Sequence, residues 1–387
     1  MTKEVKKIAV VCDVLGKENN GTTIAAMNLI RSLKEKGYEV KVICNDEERR
    51  GEEGYYIVPE LKIPIVKEIL HRNGVKLSVV DKRVMDDALS DVDHVHVMIP
   101  FALGGYASKY CHEHNVSLTA GFHAQAENFT SHLGMMHCDF LNRLFYKYIY
   151  RNVYRYTDCI HYPTQFIKEE FESVVGETKG EVISNGVNGI FSKKEVPPIA
   201  RYQGKFVILN IGRLCAEKNQ SVLIKAVARS KYKDKIQLVL AGAGPDRKKL
   251  MQLANKLGVN VENEFYSRSE LVDIINNADL YCHPSEMEIE AIGCMEAIRC
   301  GVVPVISDSK KSATSKFALD EKSLFINDDA DDLARKIDYW IEHEEERKEY
   351  SLRYLSSATA FDQAYCMDKM EEMILKTHEG KKYGEAV

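Results

Sequence analysis

The sequence predicts an α/β chain of two Rossmann-like domains, and three observations predict it. The 387 residues are more than one ordinary hydrophobic core accommodates. Short apolar runs of strand length alternate with helix-period segments along most of the chain, the pattern of parallel sheets covered by helices. The composition, 45% apolar and 29% charged, is that of a globular protein. The expected division is residues 1–198, residues 199–360, and a terminal helix, 361–387, that crosses back to the first domain. The net charge of −5 argues against a general nucleic-acid binder. The basic start runs straight into a strand without a signal peptide's apolar length, and no run of about 18 apolar residues predicts a membrane span. Ten scattered cysteines without a CxxC pair suggest reduced thiols, hence a cytoplasmic protein.

In the first half, Ile8 to Cys12 reads as a buried parallel strand. A loop ending in Asn20-Gly21 leads to a helix with Ile24, Met27, Leu29, Ile30 and Leu33 mostly on one face, stopped by Gly37. Gly21 at that helix start is a candidate for touching either a phosphate or an acceptor. Lys62 to Arg83 mixes Ile63, Ile65, Val66, Ile69 and Leu70 with Lys62, Lys67, Arg72, Lys76, Lys82 and Arg83. Its ordinary reading is a solvated basic face; its alternative is a face that meets anionic lipid. Asp91-Val92-Asp93 reads as a turn before a buried strand whose His94 and His96 are core or rim residues, since nothing completes a metal set. Ser117 to Gly121 is a further strand, and His123 just beyond it stands where open α/β sheets bind ligands. His132 and His137 lie on the following segment. Asp139 to Tyr156 predicts one long helix with Arg143, Lys147, Arg151 and Arg155 in a row among tyrosines. Such a row is either a set of snorkelling side chains or a surface for something negative.

In the second half, Ser192 to Gly204 is the expected linker. Phe206 to Ile211 predicts a strand, and Gly212-Arg213-Leu214 with Glu217-Lys218 follows at a strand-to-helix turn. There an arginine fork and a lysine point charge beside backbone donors suit a pyrophosphate. Ile236 to Ala241 is the next strand, followed by Gly242-Ala243-Gly244-Pro245, a turn that permits close backbone approach. Leu271 to Ala278 predicts a helix, and Tyr281 begins a strand that ends in the loop signal His283-Pro284-Ser285. Glu286, Glu288 and Glu290 then crowd the entrance of another helix. Acids there complement a helix dipole. That does not account for Glu296, flanked by Met295 and Ala297, because a buried carboxylate needs a partner. Two surface helices, Ala330 to His343 and Lys348 to Leu355, and a terminal helix from Phe361 complete the chain.

Glu288 and Glu296, separated by seven residues, resemble the Glu-x7-Glu motif of retaining glycosyltransferases with the GT-B fold, glycosyltransferase family 4. The Gly-Arg-Leu and Glu-Lys patterns, the Gly-x-Gly-Pro turn and Asn185-Gly186-Val187 are similar to that family's as well. The resemblance implies two Rossmann-like domains facing across a cleft. Glu288 would hold the donor sugar, Glu296 the ribose, and Arg213 and Lys218 the diphosphate. Gly212, Gly242, Gly244, Arg268, Ile289, Glu290, Ala291 and Ile292 would line the donor site, and His123 would sit near the reacting centre. Where the family has Gly-Phe-Gly after the first glutamate, this chain has Ile289-Glu290-Ala291. No cofactor or metal is implied beyond a nucleotide-diphosphate hexose donor, UDP-glucose or UDP-galactose, so activity should survive EDTA. The acceptor expectation is a lipid hydroxyl such as diacylglycerol or ceramide, reached by a peripheral protein on the inner face of a bacterial membrane. Ser312-Ala313-Thr314 and Phe317-Ala318-Leu319-Asp320 resemble bacterial glycolipid synthases in this respect. A polysaccharide or soluble glycan acceptor, a nucleotide-sugar 2-epimerase and a non-catalytic sugar-nucleotide binder are the alternatives.

Overall fold

The computed structural model describes residues 5–13, 15, 21–61, 77–131, 135 and 137–383. Asn20, His132 and residues 62–76, with most of the basic stretch, lie outside the described residues. Contacts divide the chain into two compact units, Met1–Asn185 with Ala364–Val387, and Gly186–Gln363. Residues 186–198, assigned above to the first domain, therefore belong to the second. The reason is packing, since Val187 and Phe191 are buried in the second unit's core.

The first unit is built on seven parallel strands in the order β3-β2-β1-β4-β5-β6-β7. These are β1 (Lys7–Val11), β2 (Glu39–Cys44), β3 (Tyr55–Ile57), β4 (His94–Val97), β5 (Ser117–Gly121), β6 (Cys159–Tyr162) and β7 (Gly180–Val182). Chain order reverses between β1 and β4, the switch point at which such sheets open a crevice. Asp91 and Asp93 are structural: Asp93 Oδ2 accepts from the Lys6 and Lys7 N–H groups at 2.8 and 2.9 Å, and Asp91 pairs with Lys7 and Lys41. The predicted long helix spans Asp139–Asn152 only. It breaks at Val153 because Val153 and Tyr154 turn into the core, where the Tyr154 hydroxyl donates to the Gly121 carbonyl at 3.0 Å. The terminal helix, Gln363–Tyr383, sends Cys366, Met367, Met370, Met373 and Ile374 into the first unit's core.

The second unit has six parallel strands in the order β10-β9-β8-β11-β13-β15. They are β8 (Phe206–Ile211), β9 (Ile236–Ala241), β10 (Val261–Glu264), β11 (Leu280–His283), β13 (Pro304–Ser307) and β15 (Leu324–Phe325). Strand β9 is buried at every residue, as a strand covered on both faces must be. The order reverses between β8 and β11, so the loops after these two strands meet at the switch point. A two-stranded parallel ribbon, β12 (Met287–Glu288) with β14 (Lys311–Ser312), pairs Glu288 with Ser312. The helices Ala330–Glu342 and Glu344–Ser357 are more than surface cover, because Leu333, Ile337, Trp340, Tyr350 and Tyr354 all enter the core.

Candidate functional site

The loops after β8 and β9 lie backbone against backbone. The Gly212 N–H donates to the Ala241 carbonyl at 3.1 Å, and the Leu214 N–H to the Ala243 carbonyl at 3.0 Å. A Cβ on Gly242 would stand 2.1 Å from the Gly212 oxygen, and one on Gly244 2.2 Å from the Leu214 oxygen. The contact that requires these two glycines is thus loop on loop. Gly212 itself has φ 153° and open space where a Cβ would stand.

From this scaffold Arg213 and Lys218 point to carboxylates. Arg213 Nη2 donates to Glu217 Oε1 at 2.5 Å, and the Cys215 thiol donates to the same oxygen at 2.9 Å. Lys218 Nζ donates to Glu288 Oε1. His283, the last residue of β11, places Nε2 3.3 Å from that oxygen and Nδ1 3.1 Å from the Tyr281 hydroxyl. The cations expected to face a diphosphate are therefore already paired within the protein, and an incoming anion would share them. Burial alone would raise the Glu288 pKa, but Lys218 and His283 overcome it and hold the carboxyl down at about 2. Burial keeps His283 below its ordinary value.

Glu296 is the opposite case. It is buried on the helix Ile292–Arg299, with Arg268 Nη2 4.0 Å away, and burial pushes its pKa up to about 7. Arg268 opens the helix Arg268–Asn276, whose start is fixed by a capping box between Ser267 and Glu270, and its guanidinium lies 5.2 Å from the Phe191 ring centroid. Two carboxylates eight positions apart are thus driven in opposite directions, one by a cation and one by its surroundings. Ile289, Glu290, Ala291 and Ile292 follow Glu288 directly, with Glu290 and Ala291 buried. The helix Ile292–Arg299 presents its N-terminal N–H groups at this end of the sheet, a place that favours anions. Gly293 lets it approach closely, since a Cβ there would meet Ile211 Cβ at 3.0 Å.

Ala291, at φ 59° and ψ 60°, caps this helix in the left-handed region. A non-glycine residue there costs roughly 1–2 kcal/mol. We expect Ala291→Gly to leave the thermal midpoint level or higher, and Ala291→Val to lower stability by about 2 kcal/mol or more. Equal midpoints for Ala and Val would contradict the left-handed assignment.

In the first unit, Gly21 is the exposed first residue of the helix Gly21–Glu35. His123 follows β5 with Nε2 buried and its ring 5.6 Å from that of His161, centroid to centroid. His137 is exposed. Sequence reasoning missed His283 and Glu217. His283 was legible only as part of a loop signal, although a polar residue ending an apolar strand at a switch point was the available cue. Glu217 was read as part of a pattern and not as the partner of Arg213. Asn210, buried on β8, was also missed; its Nδ2 donates to the Cys282 carbonyl at 2.9 Å. No group of ligands that could hold a metal occurs among the described residues.

Family models describe both halves: Glycosyltransferase Family 4 over residues 19–188 and Glycosyl transferases group 1 over residues 181–353. An alpha-monoglucosyldiacylglycerol synthase from Streptococcus pneumoniae is 21% identical over 78% of this chain and 70% of its own length. The structure of Anabaena HepE with UDP and glucose superposes with a TM-score of 0.76 at 14% identity, covering 96% of this chain and 99% of that one. The catalytic domain of the cholesterol-alpha-glucosyltransferase from Helicobacter pylori is 53% identical over 40% of this chain and 96% of its own, with a TM-score of 0.39. The chain is a GT-B glycosyltransferase, with a family 4 domain in its first half and a group 1 glycosyl transferase domain in its second.

Proposed function

We propose that this protein moves a hexose from UDP-glucose or UDP-galactose to the hydroxyl of a lipid such as diacylglycerol or ceramide, retaining the anomeric configuration. The observation that carries the reading is the Lys218–Glu288–His283 cluster at the β8/β11 switch point, taken with likeness to a glycolipid synthase. Glu288 accepts from the sugar hydroxyls and Glu296 from the ribose. Arg213 and Lys218 stabilise the departing diphosphate, and the N–H groups at the start of the Ile292–Arg299 helix add to that. The bond from the anomeric carbon to the phosphate oxygen breaks, and a bond to the acceptor oxygen forms on the same face. The acceptor proton passes to the leaving phosphate, and UDP departs. His123 stands at the acceptor side. Gly212, Gly242 and Gly244 shape the donor loops, Arg268 and residues 289–292 line them, and Gly21 borders the acceptor.

The exposed face of the Asp139–Asn152 helix supports the lipid acceptor. Phe140, Leu144 and Tyr148 are 69%, 47% and 61% exposed and interleave with exposed Arg143, Lys147 and Arg151. Asp139 is the one acid against four cations in residues 139–156. Each cation at an anionic leaflet contributes about 1 kcal/mol, enough together for reversible attachment. No described helix is long and apolar enough to cross a membrane. Flotation with anionic vesicles is expected at low salt, to fade as salt rises, and to weaken in Phe140→Ser/Lys147→Glu. Incubation with a panel of nucleotide sugars and a lipid extract, read by mass spectrometry, tests the reaction. A new glycolipid is expected; a rearranged sugar nucleotide with no new glycoside would favour an epimerase.

A further inference from the structure

Four histidines and two hydroxyls form a polar ladder through the first unit's sheet. His94 and His96 project from β4, Ser117 and Thr119 from β5, and His161 from β6, with His123 above Gly121 at the strands' C-terminal end. His94, His96 and His161 are all buried. Gly121 makes room for the top rung, since a Cβ there would stand 2.7 Å from His123 Nε2.

Taking Ser117 as a donor to a carbonyl, one chain of hydrogen bonds sets the protons below that rung. The Ser117 hydroxyl donates to the Asp93 carbonyl at 3.2 Å, beside His378 Nδ1, which lies 3.0 Å from that carbonyl and 3.3 Å from Ser117 Oγ; with its proton so placed, Ser117 accepts from His94 Nδ1–H at 2.7 Å. His94 Nε2 is then bare and accepts from the Thr119 hydroxyl at 2.7 Å. Thr119 Oγ1 in turn accepts from His96 Nδ1–H at 2.8 Å, which leaves His96 Nε2 bare. From the other side, His161 Nε2–H donates to the Ile183 carbonyl at 2.7 Å, which leaves His161 Nδ1 bare. His96 Nε2, His161 Nδ1 and His123 Nε2 are all buried without a hydrogen-bond partner in the protein. The His161 ring is 6.4 Å from that of His96 and 5.6 Å from that of His123, centroid to centroid. Burial, with neighbouring imidazoles adding to it, keeps His96 and His123 well below the ordinary histidine value, and burial holds His161 at about 4, so all three are neutral.

Two bare lone pairs and one undetermined nitrogen on three neighbouring buried rings match one water molecule, which offers two donors and accepts a third bond. We propose that His96 and His161 hold a buried water that accepts from His123 Nε2–H, so that His123 is locked with a bare Nδ1 able to accept from a substrate hydroxyl other than the one whose proton goes to the leaving phosphate. His96 and His161 are on this account positioning residues, acting through the water. The opposite tautomer would set a bare His123 nitrogen against two others with one water to serve three lone pairs. The proposal rests on the reading of His123 as the acceptor-side group, but the tautomer can be measured independently of it.

Selective 15N-histidine labelling with long-range 1H–15N correlation reads each neutral tautomer. Wild type is expected to show His94 and His96 as Nδ1–H, and His161 and His123 as Nε2–H. His161→Phe, which removes one acceptor of the water, is expected to turn His123 into a tautomer mixture and lower kcat about 10-fold at unchanged donor KM. His161→Gln, whose amide can still accept, should recover most of that loss. Finding His123 as Nδ1–H in wild type would overturn the proposal, even if His161→Phe does not fold. A single unchanged His123 tautomer in folded His161→Phe would overturn it as well. Full turnover in His123→Ala would instead remove the reading of His123 on which the proposal rests, while leaving the tautomer result to stand.

Discussion

Lys218→Ala is expected to lower kcat/KM about 100-fold, through loss of a charge-assisted contact of roughly 1.5–3 kcal/mol to the departing diphosphate. The same change strands Glu288, whose pKa of about 2 depends on Lys218 and His283 against burial. Removing the cation of this part-buried pair leaves a carboxylate without its partner, so stability should fall too. The two effects separate in the double variant. Glu288→Gln added to Lys218→Ala should restore much of the thermal stability, because the stranded charge is gone, and should restore none of the turnover. Near-normal rates in Lys218→Ala would contradict the phosphate assignment. Acid titration of wild type carries the same signature. Glu288 has a folded pKa below its unfolded value, so its stabilising contribution is complete above about 4.5 and disappears as pH falls through about 2.

Donor binding is expected to strengthen as pH rises through about 7, with Glu296 as the titrating group. A carboxylate can accept from both ribose hydroxyls, whereas the protonated acid keeps one oxygen as a donor. The sign for folding is opposite. The folded pKa lies above the unfolded one, so ionising Glu296 without ligand costs stability, and that cost grows as pH rises from about 4.5 through 7. Bound nucleotide should therefore stabilise the protein more at pH 8 than at pH 6. In Glu296→Gln, calorimetric titration with UDP should show weaker binding, about 10-fold at pH 8, and a flat pH profile. A pH dependence that persists in this variant would place the titrating group elsewhere.

The framework of this protein was legible because its strands are nearly continuous apolar runs. Ser117–Gly121 and Phe206–Ile211 match their predicted bounds, and Ile236–Ala241 does too. The Glu288/Glu296 spacing was legible because an acid among Met295 and Ala297 has no local reason to be there. Pair partners were not legible, since they are set by loops that converge only when β8 and β11 become neighbours. Lys218 and Glu288 are 70 residues apart in sequence. The Gly242–Pro245 turn was read as permitting close backbone approach, and the backbone that both of its glycines meet is that of the loop beside it. Ala291 shows why motif departures matter physically, because it fills a left-handed position where glycine is the unstrained choice. Trp340 and Tyr354 were hidden by charged neighbours that make their helices read as solvent-facing. The histidine ladder was invisible for a related reason. A lone His in a strand carries no signal until register places His96 beside Thr119 and Gly121 beside His161.

The central claim is transfer of a hexose from a nucleotide-diphosphate donor to a lipid hydroxyl with retention. The most direct test is incubation with UDP-glucose and diacylglycerol in anionic vesicles, followed by NMR of the extracted lipid. The expected result is an α-linked glucosyl lipid, formed with one equivalent of UDP and about 100-fold more slowly in Lys218→Ala. A β-linked product, or transfer to soluble saccharides with the vesicle lipid untouched, would contradict the account.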